Sequence, residues 1–322
     1  MTANSDQHPG AANLVVNTAG ASLEIMGDGP PDQPFSLASL LALEKELVAA
    51  ERNPEIYGIA AIWRRPPEGA AARQRNTADA TVRQELRLLF RAEYYQKPAL
   101  SLLDGPVSGF ELGFSLCGTH RVGTASCRLD FSGVADGTLP GPGLIYRLAR
   151  LPGQIGTYLA LTGEPLDTSD AFALGLLTHR ADPPDFQRIR TALSRAEPID
   201  QILDALPVPQ AKGALTAQRE TIASCFAGER LADIVERLSG VQGPSQAFAQ
   251  LARAKLRALP LPAAELLLHA LRTKQSFAEC LRLDLAAADL AADPNRVTEV
   301  FQQSTTLLLD LPPVAAEPPP IA

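Results

Sequence analysis

Apolar positions along the chain follow two periods. Short apolar runs at residues 23–26 and 58–62, bounded by turn residues, predict buried strands. Between them Pro34, Phe35 and Ser36 open a segment whose Leu37, Leu40, Leu41, Leu47 and Val48 are expected to share one helical face. The Ser36 hydroxyl is suited to cap the first N–H groups. Asn53 ahead of Pro54 stops the helix, because a residue before proline avoids helical dihedrals. Residues 81–95 predict the next helix, with Val82, Leu86, Leu89 and Phe90 inward. Residues 99–103 predict a strand running into a turn at Asp104, Gly105 and Pro106, and Val122 and residues 129–131 add short strands. This alternation implies crossover helices, a parallel sheet and an α/β core over residues 13–190. Beyond it, residues 186–203, 215–226, 231–238, 245–259 and 263–288 carry helical periodicity and no strand candidates, so 191–311 is expected to be all helical. The small polar stretch 1–12 and the proline-rich tail 312–322 are expected to be disordered ends.

Composition narrows the picture. With 46% hydrophobic residues among 322, the chain has ample apolar material for a packed core. Its formal charge is −7, and Lys and Arg are scattered rather than gathered into a stripe, so nucleic acid is not an expected partner. No apolar run has the ~20 residues of a membrane span, and Met1 to Gly10 lack the basic and apolar parts of a signal peptide. Cys117, Cys127, Cys225 and Cys280 are too few and too spread for a disulfide framework, which makes a reducing, cytoplasmic setting the expectation. His120 lies between Cys117 and Cys127, but no fourth ligand falls at a usual spacing, so no metal is expected.

Residues 97–178 are the most distinctive stretch. A buried strand runs into Asp104 and Gly105, and Ser108, Gly109, Phe110, Glu111, Leu112 and Gly113 then open a helix-like segment. A glycine- and proline-rich loop follows at 137–143, then Arg150 with Leu151, and Leu159 to Gly163. In this order and spacing the chain resembles the crotonase superfamily of acyl-CoA enzymes, and within it the 3-hydroxyisobutyryl-CoA hydrolases. The likeness takes in Asn53, Pro54 and Glu55 upstream. Downstream it includes Ser224, Cys225, Phe226 and the segment 248–260, and in all it covers residues 14–305. It implies a ββα superhelix core with a helical extension over the pocket, an acyl-CoA thioester as ligand, and no cofactor beyond that coenzyme A. A homo-oligomer or a protein partner also follows by analogy.

The resemblance further implies a thioester carbonyl held between two backbone N–H groups, which stabilise the charge that develops on its oxygen. One donor falls on the Phe110 N–H at a helix start. The other belongs to the stretch 69–74, which lacks the family's two glycines and aspartate. Glu85 matches a glutamate that contacts substrate in the hydrolases. The hydrolase carboxylates fall on Gly133 and Gly141, and the hydratase branch's second glutamate on Gly113. A glycine can neither accept a proton nor attack a carbonyl. Substitute carboxylates are Asp136 and Glu111, with Asp130 on the other side of Gly133; their plainer roles are a turn residue and a dipole partner. Two readings therefore stay open: hydrolysis of a short 3-hydroxyacyl-CoA, or a catalytically silent acyl-CoA-binding or protein-interaction subunit.

Other reactive residues have structural explanations. Ser115 lacks a strained G-x-S-x-G turn and reads as a core or capping serine rather than a nucleophile for His120 or His179. His179 is expected at the end of a strand-like run, and His269 packed among leucines. Trp63, Tyr94 and Tyr95 read as core anchors.

Overall fold

The computed structural model of the chain describes residues 13–28, 33–65, 79–136, 138–208, 213–273 and 275–288. Both expected disordered ends, the stretch 69–74 and Gly137 lie outside the described residues. The chain opens with a hairpin of β1 (Asn13–Ala19) and β2 (Ser22–Asp28), antiparallel and in a register that pairs Val16 with Ile25. Next come α1 (Leu37–Arg52), β3 (Gly58–Arg64), α2 (Asp79–Glu93), β4 (Ala99–Asp104), β5 (Pro106–Val107), α3 (Gly109–Cys117), β6 (His120–Gly123) and β7 (Arg128–Leu129). They are followed by α4 (Leu144–Leu148), α5 (Ile155–Thr162), β8 (Leu166–Asp167), α6 (Thr168–Ala173), β9 (His179–Arg180) and α7 (Pro183–Ser194). Among the described residues the rest is helical: α8 (Ile199–Leu203), α9 (Arg219–Cys225), α10 (Leu231–Ser239), α11 (Gln246–Arg257), α12 (Leu261–Arg272) and α13 (Phe277–Ala286).

One sheet runs in the order β1-β2-β3-β4-β6-β9 and is parallel from β2 onward; β5, β7 and β8 form a second, small sheet. Its inner strands are buried on both faces, as crossover helices require, and β3 is buried from Gly58 to Trp63. Ile62, Leu100, Leu102 and Val122 pack on one face with Phe186 and Ile189 of α7. Ile59, Trp63 and Leu103 enter the larger core on the other face, together with α1, α2 and α3. The expected division at residue 190 falls inside α7.

The Ser36 cap forms, its Oγ accepting the Ser39 N–H at 3.2 Å. The buried stripe of α1 is Leu40, Leu43, Leu47 and Ala50, while Leu41 is 50% exposed. Steps of three and four residues keep one face of a 3.6-residue helix, and Leu41 lies a full residue off that stripe. Residues 186–203 form two helices rather than one. Ala196 breaks the first with a φ of +54°, and Pro198 caps the second. Residues 263–288 are likewise split, because Ser276 and Glu279 build a reciprocal capping box that starts α13 afresh. His269 is exposed on α12 instead of packed, its leucine neighbours facing inward.

Lys97, just ahead of β4, fastens the end of α1. Its Nζ donates to the carbonyls of Ala50, Asn53 and Ile56 at 2.6, 2.5 and 2.7 Å. All three ammonium protons are used, and each bond is charge-assisted. Lys97→Met is expected to lower stability by about 2–4 kcal/mol, read as a lower urea midpoint at unchanged slope.

Candidate active site

β4 and β5 deliver the chain into α3, whose N-cap is Ser108. Gly109 adopts a φ of +56°, a left-handed conformation that costs a glycine little, and a Cβ built there meets no atom within 4 Å. Open space thus lies against the start of a helix. Ser108 makes no side-chain cap to this turn, and its buried Oγ has no partner among the described residues. The Phe110 N–H therefore sits in a first turn without a side-chain cap, where the helix dipole favours negative charge. The Phe110 ring is taken up by the core, edge-on to Phe35 at 5.9 Å between centroids and 5.7 Å from Phe114. Phe35 in turn packs on Trp63 at 6.3 Å, and the buried Trp63 Nε1 has no partner among the described residues.

The candidate carboxylates are placed as follows. Glu111 is buried and bonded through Oε2 to Arg65 Nη2 at 2.5 Å, which ties α3 to the residue that follows β3. Glu85 is buried on α2, and α2 packs beside α3. Asp136 ends the 3₁₀ turn Val134–Asp136; its side chain lies outside what is described. Asp130 is used locally, its Oδ1 accepting the Ser132 N–H at 2.8 Å.

The three glycines on which the resemblance places the carboxylates are not equivalent. A Cβ on Gly113 would lie 2.3 Å from the Pro142 carbonyl oxygen, and one on Gly133 would lie 2.5 Å from that of Leu139. Both positions are closed by backbone. A Cβ on Gly141 would meet the Leu144 Cδ1 methyl at 2.7 Å, an atom that can rotate away, and lies 3.6 Å from the Gly109 Cα. The loop containing Gly141 is thus folded over the start of α3.

One carboxylate near this loop was not foreseen. Asp284, buried on α13, accepts the Gly143 N–H through Oδ2 at 2.7 Å, and the Phe277 ring packs beside the same glycine. The sequence signal was Asp284 itself, an acidic residue on the inner, leucine-rich face of the terminal helix. Ser115 is fully buried and donates to the Glu111 carbonyl at 2.7 Å, the back-bond of a core serine. The His120 ring lies between Thr119 Oγ1 and Asp200 Oδ1, both at 3.0 Å, and 5.9 Å from the His179 ring. The four cysteines are buried free thiols, and burial pushes Cys117 well above the usual thiol range and Cys127 to about 12. Trp63, Tyr94 and Tyr95 are core residues.

Residues 65–303 match the enoyl-CoA hydratase/isomerase family, and the chain belongs to this crotonase family. It is 32% identical over 151 residues to a probable 3-hydroxyisobutyryl-CoA hydrolase of Arabidopsis thaliana, covering 45% of this chain and 40% of the relative. It is 30% identical over 182 residues to the mitochondrial 3-hydroxyisobutyryl-CoA hydrolase of Homo sapiens, covering 51% of this chain and 47% of the relative. Over 85 residues it is 44% identical to the small ribosomal subunit protein mS47 of Arabidopsis thaliana, covering 26% of this chain and 21% of the relative. The matched stretches thus span less than half of these relatives. Two solved structures share the fold over nearly the whole chain. A carnitinyl-CoA dehydratase from Mycobacterium thermoresistibile superposes with a TM-score of 0.78 at 21% identity over 92% of this chain and 90% of that one. An enoyl-CoA hydratase from Rhodobacter sphaeroides gives 0.76 at 21% identity over 95% and 93%. The architecture is accordingly a crotonase-type α/β core with a helical C-terminal region.

The two kinds of glycine separate in a stability measurement. Gly113→Ala forces a backbone carbonyl to move and is expected to cost about 2–3 kcal/mol or more, whereas Gly141→Ala displaces one methyl and is expected to cost about 1 kcal/mol. Urea unfolding of the two variants checks the order.

Proposed function

We propose that this crotonase-family protein binds an acyl-CoA thioester at the start of α3 without hydrolysing it, and serves as a binding or interaction subunit. The observation that carries this reading is the closure of Gly113 and Gly133 by the carbonyls of Pro142 and Leu139. A family-type carboxylate at either position has no room to leave the backbone, so acid–base work on the thioester has no side chain there. The binding half of the machinery has better support. A backbone N–H survives any substitution other than proline, the first turn of α3 lacks a side-chain cap, and open space flanks Gly109. Two buried polar groups at this end of the sheet, Ser108 Oγ and Trp63 Nε1, lack partners among the described residues. The relative mS47 supports an assembly role for the fold, since its name is that of a ribosomal subunit protein. A reducing compartment, the cytoplasm first, fits the four free thiols.

A second reading, hydrolysis by a relocated carboxylate, is favoured by one contact. Asp284 reaches Gly143, two residues from the Gly141 position. The test offers purified protein 3-hydroxyisobutyryl-CoA with a thiol reagent, beside calorimetric titration with the same thioester. Saturable heat with coenzyme A release no faster than the protein-free blank is the expected result. Turnover that disappears in Asp284→Asn or Glu111→Gln would replace the silent reading with the second one. Absence of both heat and release would remove the ligand from the proposal altogether.

A further inference from the structure

The opposite end of α3 carries a second feature, a cleft. Leu116 near the helix C-terminus, Arg121 at the start of β6, Arg147 in α4, Arg150 after it, and Leu174 and Leu176 beyond α6 line a cleft of about 380 Å³. That volume suits a small organic ligand. Leu116 stands six residues beyond Phe110, so at 1.5 Å per residue the cleft is displaced by about 9 Å along the helix axis from the thioester end.

Its charge is not balanced. Three guanidinium groups line it, and the acidic partner among the described residues is Glu93, which pairs with Arg147. Three positive charges against one leave +2, inside a chain whose net charge is −7. Arg121 donates to the carbonyls of Leu176, Gly118 and Gly175 at 2.8, 2.7 and 3.0 Å, which fixes the group while leaving two of its five N–H donors. Arg150 is held by the carbonyls of Tyr146 and Gln275, both at 2.9 Å, and lies 3.6 Å over the Tyr146 ring. The buried Arg147 Nε–H has no partner among the described residues. Burial, and then the positive charge of Arg147, lower Arg121 from its ordinary value to about 10, as crowding of like charges requires.

We infer that this cleft is a second ligand site, built for a phosphate monoester whose organic part is apolar or aromatic. A phosphate monoester carries close to two negative charges at neutral pH and offers three acceptor oxygens, which matches the excess charge and the remaining forked donors. A monocarboxylate would leave one positive charge unmatched. Leu116, Leu174 and Leu176 supply the wall for the organic part.

The test is calorimetric titration of the full chain with phenyl phosphate, with phenylacetate and phenol as the singly charged and neutral comparisons. Phenyl phosphate is expected to bind, phenylacetate more weakly and phenol not measurably. Arg150→Gln is expected to weaken phenyl phosphate binding by about tenfold or more. Gly175→Asn tests the same site with all three arginines retained and the Gly175 carbonyl that Arg121 bonds still present. Gly175 lines the cleft with a φ of +71° and open space where a Cβ would stand, and asparagine tolerates that backbone while its side chain occupies the space. A similar loss is expected there. Failure of the unmodified protein to bind phenyl phosphate overturns the inference, as does unchanged affinity in either folded variant. A parallel loss of acyl-CoA affinity in Arg150→Gln would make the cleft part of the thioester ligand's own site and also overturn it.

Discussion

Backbone against backbone is the contact on which the site depends. The Pro142 carbonyl sits where a Cβ of Gly113 would be, and the Leu139 carbonyl where that of Gly133 would be. Such an approach is available only to glycine, and at Gly113 it brings Pro142 tightly against α3. Leu139 and Leu144 are then fully buried, and Asp284 reaches in from α13 to hold the Gly143 amide. Interiors packed to this density leave no slack for a longer side chain unless the main chain moves. Gly113 and Gly133 are therefore part of how the backbone packs here.

The helix beneath that loop organises the charge of the molecule. At its start Glu111 is paired with Arg65 inside the core, in the sense a helix dipole favours. At its end Arg121 donates to the Gly118 carbonyl, again in the favoured sense. Burying such groups is costly unless each is bonded, and here each is held by several partners or by an ion pair. The asymmetry lies in what remains. The first turn of α3 presents N–H groups and an open side at Gly109, and the far end presents guanidinium donors in excess of nearby carboxylates. One short helix thus separates a turn of main-chain N–H groups from a cluster of guanidinium groups.

Much of the fold was legible because its inner strands are unbroken apolar runs, and because Ser36 and Asn53 mark the ends of α1 by local chemistry. β1 escaped because its apolar run is only Leu14, Val15 and Val16, set between Asn13 and Asn17, and its full length is fixed by pairing with β2. The joined helices at 186–203 and 263–288 were misjudged where periodicity overruled local signals: Pro198 in one case, and Ser276 with Glu279 in the other. Leu41 and His269 show the same bias, since a helix made largely of apolar residues does not reveal which side faces the core. At the site, the absence of carboxylates at Gly133 and Gly141 could be read from residue identity alone. The Pro142 carbonyl against Gly113, the Arg65–Glu111 pair and the bond from Asp284 join residues far apart in the chain. No spacing rule reports such contacts.

Binding and catalysis in a site of this kind respond differently to substitution. A helix start offers main-chain donors, which do not depend on the side chain at Phe110, and its ring finds a place beside Phe35 and Phe114. Acid–base chemistry needs a side chain of one type, at one distance, with room to stand. At Gly113 and Gly133 carbonyls occupy that room, so a longer side chain there is more than a single substitution. Placing a carboxylate side chain at either position requires the 139–142 backbone to retreat, which would loosen the buried leucines beside it and the α13 contact with Gly143. The packing of the 139–142 backbone therefore decides which side chains Gly113 and Gly133 can be exchanged for.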